Sequence, residues 1–76
     1  MSFINIGNTR ESVDEIEKIY KKIDKISLSE LNADKLEFVP KSYKSSNCNI
    51  YKYGKYYMFV FFKDDIVFTR YITYRK

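Results

Sequence analysis

The chain has no histidine, one cysteine, one proline and two glycines among its 76 residues, and no apolar run longer than the seven residues from Tyr56 to Phe62. Without imidazole there are no histidine general bases, no cysteine-histidine dyads and no zinc sites of the Cys/His kind. A single thiol, Cys48, cannot close an internal disulfide, so the expected home is a reducing cytoplasm, that of a host cell where the gene is viral. The apolar run falls far short of the roughly 20 residues that a membrane-spanning helix needs. Nor do the first thirty residues hold a signal-peptide core, because Arg10, Glu11 and Asp14 soon follow Ile4 and Ile6. Little remains for catalysis, and the expectation is a protein without enzyme activity, metal or cofactor.

What is present describes a folded unit: 45% of the residues are apolar and 32% charged. A chain this short buries only about 60% of the surface its unfolded form exposes, which allows one small domain, 1–76, mainly helical over 1–36 and mainly β over 37–76. Residues with AT-rich codons (Phe, Tyr, Met, Ile, Asn, Lys) number 41, against seven of Gly, Ala, Arg and Pro. Short reading frames of that bias are frequent in phages and mobile elements, and low-GC chromosomes share it.

The net charge of +4 is unevenly spread. Residues 1–34 carry five basic and seven acidic side chains, whereas residues 35–76 carry nine basic and three acidic. Seven of the eight tyrosines also fall in the basic part. A negative or flat partner is therefore expected to meet that part.

In the acidic part, Val13, Ile16, Ile19, Tyr20, Ile23 and Ile26 recur at steps of three and four, which predicts an amphipathic helix over about 9–25. Asn8 with Glu11, or Ser12 with Glu15, supplies a capping pair. Acidic residues gather at the start of this segment and Lys21, Lys22 and Lys25 at its end, in accord with the helix dipole. Ser27 and Glu30 repeat the capping spacing before a short second helix over 28–35. Phe3 to Ile6 offers a short edge strand or a hydrophobic clasp. After Pro40 the polar stretch 40–47 has no period and is expected as a loop.

Strands are predicted at 48–53, 56–62 and 66–74, joined by tight turns at Gly54-Lys55 and around Asp64-Asp65, with Glu37 to Val39 as a fourth strand at the edge. The fold class is thus α+β: one long amphipathic helix plus a short helix packed on a three- to four-stranded antiparallel meander. A two-residue turn at Gly54 places Tyr53 opposite Tyr56 and Ile50 opposite Phe59. Pairing Phe62 with Val67 then sets Phe61 opposite Phe68 and Tyr57 opposite Ile72. On this register one face gathers Ile50, Phe59, Phe61, Phe68 and Ile72, with Lys52, Tyr57 and Arg70 toward its edges, and is expected to receive the long helix. The other face gathers Tyr51, Tyr53, Tyr56, Met58, Val60, Phe62, Val67, Thr69, Tyr71 and Thr73 and is expected to be bare. The competing arrangement folds the N-terminal segment or the 40–47 loop over it, and a one-residue slip would exchange the faces of a strand.

A bare tyrosine face is suited to binding, since tyrosine offers rigid amphipathic area at interface cores. The site is expected at Tyr51, Tyr53, Tyr56 and Tyr71 for contact area, with Lys52 and Lys55 for charge, facing a larger and acidic host protein. The concrete form is an inhibitor encoded by a phage or mobile element, and a homodimer through the same face is a variant of this reading. The alternative is single-stranded nucleic acid, because Lys41, Lys44, Lys52 and Lys55 alternate with Tyr43, Tyr51, Tyr53, Tyr56 and Tyr57. Cys48 is expected as a buried strand residue, and Asp64-Asp65 as turn residues rather than metal ligands.

The order of short strand, two helices and meander, with YGKYYMFVFF, KDDIVF and ITYRK over about the last 28 residues, resembles the C-terminal part of RelE-like ribonuclease toxins. That resemblance implies metal-free cleavage by basic side chains and a tyrosine, here Lys52, Arg75 and Tyr74. Where those toxins commonly place an arginine in the penultimate strand, this chain has Tyr57.

Overall fold

A computed structural model describes residues 3–44 and 46–76. It is α+β: a four-stranded antiparallel sheet with two helices. In chain order these are α1 (Arg10–Ile19), β1 (Asp24–Ile26), α2 (Leu28–Ala33), β2 (Cys48–Tyr53), β3 (Tyr56–Lys63) and β4 (Ile66–Tyr74), and the strands lie side by side in that order. No helix among the described residues is long and apolar enough to cross a membrane.

The three strands of the basic part stand where the alternation predicted them. Gly54 adopts a φ of 59°, a left-handed conformation that glycine enters without cost, and Tyr53 pairs with Tyr56 and Ile50 with Phe59. The second turn rests on Asp64 and Asp65, with φ of 53° and 62°. Aspartate tolerates this region better than most residues, and Arg10 holds the turn with a 2.8 Å ion pair to Asp65 and a 2.8 Å backbone hydrogen bond to its carbonyl. Phe62 pairs with Val67.

Beyond that pair the register departs from expectation. A bulge lies opposite Phe61 and Phe62, so Phe61 faces Thr69 rather than Phe68, and Met58 rather than Tyr57 faces Ile72. The extra residue, Phe68, turns every later side chain of β4 to the opposite face.

The acidic part departs further. α1 stops at Ile19, where Tyr20 takes an extended conformation, and its cap is Thr9, whose hydroxyl accepts from the Ser12 amide at 3.1 Å. Ile23 and Ile26 continue the apolar spacing, but Ile26 lies on β1, which pairs with β2 through Lys25 and Tyr51. The fourth strand is therefore β1. Segment 37–39 forms no strand, and Leu36 makes only an isolated bridge to Arg75. Phe3 and Ile4 act as a buried clasp instead of a strand. α2 is shorter than expected but keeps its Ser27 cap, which accepts from the Glu30 amide at 3.5 Å. Ser45, in the expected loop, lies outside the described residues.

Two cores result, one on each side of the sheet. Val13 and Ile16 of α1, with Phe3 and Ile4, pack on Tyr51, Met58, Val60, Phe62 and Val67. Leu31 of α2, with Leu36 and Tyr43, packs on Cys48, Ile50, Tyr57, Phe59 and Phe61. The long helix thus roofs the face expected to be bare, and the short helix with the following segment roofs the other. β3 is apolar on both faces, so burial alone did not favour one side for α1. The hydrogen bonds from Gly7 to the Val67 carbonyl and from Val67 to the Asn8 carbonyl, at 2.8 and 2.9 Å, start α1 beside the Asp64-Asp65 turn.

Candidate partner-binding surface

The six residues expected to form one surface lie in three places. Tyr51 is 0% exposed, beneath α1, where its hydroxyl donates to the Glu17 carboxylate and accepts from the Asn49 side-chain amide at 3.0 Å. Burial, and then the neighbouring Glu17 carboxylate, hold that hydroxyl well above the usual tyrosine range. Tyr51 ties helix to sheet, and the expectation of an open contact residue fails there because α1 covers it.

Tyr71 lies beyond the bulge and so turns to the α2 side, where its ring meets Phe38 at 6.4 Å and Phe61 at 5.7 Å. Lys52 is on that same side, with its ammonium 3.7 Å from Asp34 and 5.7 Å from the centre of the Tyr57 ring. It is therefore committed within the molecule. Tyr53 and Tyr56 remain together on the α1 side of the sheet, with Lys55 exposed in the turn between them.

Around those three the fold assembles residues that the sequence pattern did not join to them. Rings follow one another from Tyr20 to Phe3 (5.8 Å), Phe3 to Tyr53 (5.6 Å), Tyr53 to Tyr56 (5.6 Å, stacked) and Tyr56 to Tyr74 (6.1 Å). Tyr56 is 40% exposed and Tyr74 46%. The Tyr74 hydroxyl bonds to the Glu37 carboxylate, which pushes its pKa up. Beside this ladder stand Ile19, 69% exposed, and Ile72, 51% exposed, which the bulge brings onto this face two places from Tyr74. Tyr20 carried a helical period and Tyr74 a strand period, so no single spacing could have linked them. Lys21, Lys22 and Lys55 are exposed near the ladder's two ends.

An apolar cavity of about 500 Å³ opens at one end of the ladder. Phe3, Ile19, Tyr20, Ile23 and Tyr53 line it together with Lys21 and Lys22.

Of the residues implied by the toxin resemblance, Lys52 and Tyr74 lie on opposite faces, since Lys52 pairs with Tyr57 on the α2 side whereas Tyr74 meets Tyr56 on the α1 side. Cys48 is buried, and desolvation lifts its thiol from 9.0 to about 12, which keeps it protonated and unreactive at neutral pH. Among the described residues no group of acidic or thiol side chains is arranged to hold a metal ion. No protein-family model matches the chain, and no curated protein and no solved structure matches it significantly.

Proposed function

We propose that this chain is a non-catalytic binding protein that engages a larger protein through the aromatic ladder at the Gly54 end of the sheet. The observation that supports this reading is the contiguity of exposed apolar and aromatic side chains there: Ile19, Tyr20, Tyr56, Ile72 and Tyr74 are all on the α1 side and all more than a third exposed. Small monomers rarely leave such a set uncovered unless it contacts something. Tyrosine at an interface core contributes area with little side-chain entropy to lose, and nearby lysines steer an acidic partner by raising the on-rate. An inhibitor that occupies a working surface of a host factor, encoded by a phage or mobile element, is the concrete form, in keeping with the AT-rich residue usage.

The test is recovery of the tagged chain from its host lysate with and without nuclease, beside the variants Tyr56→Ala and Tyr74→Ala. A stoichiometric, nuclease-resistant protein lost in both variants supports the reading. Recovery unchanged by the variants sinks it. Nuclease-sensitive recovery, with oligonucleotide binding that weakens steeply with salt, replaces it with the single-strand reading, in which the ladder's rings stack on bases.

A further inference from the structure

The cavity at the end of α1 has a shape that the rest of the ladder lacks, and two lysines are among the residues that line it. α1 ends at Ile19, and the chain turns through Lys21 and Lys22 before entering β1, so the helix end, the Phe3 clasp and Tyr53 border a hollow, open to solvent, that no side chain of the described residues fills. Its volume of about 500 Å³ is of the size that binds small ligands, and an apolar cavity of roughly 150 Å³ already accepts a benzene ring. Ile19 lies mostly in solvent at its wall, contributing little to the core. Lys21 and Lys22 are exposed residues of its lining, and neither belongs to an ion pair among the described residues, whereas Arg10, Lys18 and Lys52 each have a carboxylate partner. Two adjacent unneutralised ammonium groups beside an apolar hollow disfavour a cationic occupant and complement an anionic one.

Resting on the protein-partner reading above, we propose that this cavity is a socket for one aromatic or branched aliphatic side chain of an acidic segment of the partner, whose neighbouring carboxylate is met by Lys21 and Lys22. The anchor supplies the buried area. The two lysines select what flanks it.

The test titrates the ¹⁵N-labelled chain with three blocked dipeptides, acetyl-Phe-Glu-amide, acetyl-Phe-Gln-amide and acetyl-Ala-Glu-amide, and follows the backbone amides of Tyr20, Lys21, Lys22, Ile23 and Tyr53. The Phe-Glu peptide is expected to shift these amides saturably. The Phe-Gln peptide should bind roughly threefold to tenfold more weakly at low salt, the loss appropriate to one or two exposed ion pairs, and the Ala-Glu peptide should leave the amides in place. Ile19→Glu, a change at an exposed position, should abolish the Phe-Glu shifts. The double variant Lys21→Glu/Lys22→Glu should reverse the preference toward acetyl-Phe-Lys-amide, an outcome that altered folding would not produce. Absence of shifts in the wild-type chain, equal response to Phe-Glu and Phe-Gln at low salt, or no reversal in the double variant would overturn the socket. Saturable shifts of the same amides by oligothymidylate without any by the Phe-Glu peptide would overturn it as well. Partner recovery that survives Ile19→Glu but is lost in Tyr56→Ala overturns the socket alone and leaves the ladder reading standing.

Discussion

The two ends of the sheet are built from the same strands and finished in opposite ways. At the Asp64-Asp65 end, Arg10 bonds to Asp65 and sits 4.0 Å over the Phe62 ring, residues 7–9 bridge to β4, and Val13 packs into the interior. At the Gly54 end, Tyr56 and Tyr74 stay half exposed, and Tyr56 meets the rings of Tyr53 and Tyr74 on the α1 side. Helix length accounts for part of the difference. Ten residues of α1 extend about 15 Å, whereas the eight residues of β3 extend roughly 26 Å, so a helix that begins at one turn cannot roof the face as far as the other. On the α1 side, one end is closed, held by an ion pair and backbone hydrogen bonds, and the other is open and leaves its rings half in solvent.

The sharpest way to break that comparison is to substitute a ring at each end and compare urea denaturation. Phe62→Ala at the closed end, where the ring is buried, is expected to remove about 3 kcal/mol or more, a large share of the stability of a chain this small. Next in size is Tyr51→Phe, which leaves the Glu17 carboxylate and the Asn49 amide without their shared hydroxyl and should cost roughly 1–3 kcal/mol. No loss in that variant would show that the link from helix to sheet contributes nothing.

Alkaline pH probes the closed end through Cys48, which pairs with Phe61 in the covered part of the sheet. Burial raises this thiol from 9.0 to about 12, so the folded chain keeps a proton that the unfolded chain releases above pH 9. Its contribution is complete below pH 9 and is lost as pH rises toward 12, with a slope of at most about 1.4 kcal/mol per pH unit. Chemical denaturation between pH 9 and 11 should therefore show a shallower decline in Cys48→Ala than in the native chain. The smallest effect on stability belongs to Tyr74→Ala at the open end, less than about 1 kcal/mol, since the ring is half in solvent. A loss there equal to that of Phe62→Ala would erase the distinction between the ends.

Much of the β half was legible because each of its signals is local. Gly54 and the aspartate pair mark turns, the stretches between them alternate, and a two-residue turn dictates the pairing of Tyr53 with Tyr56. The α2 cap was legible for the same reason, as Ser27 needs only the amide three residues away. The end of α1 was not, because Ile23 and Ile26 keep the helical spacing after the helix has stopped and their burial is met by two different cores. Of the expected site, Tyr53, Lys55 and Tyr56 stay together, while Tyr71 was misplaced by a bulge that no residue type announces and Tyr51 by the choice of face.

The amino-acid sequence by itself determined the three long strands, their two tight turns and the basic, tyrosine-rich character of their half, since these follow from backbone preferences and alternation within a few residues. Only the tertiary structure decided which rings meet solvent. Because β3 is apolar on both faces, alternation cannot say which side a helix takes. One extra residue in β4 reverses every side chain beyond it, and both outcomes are set by how distant segments pack.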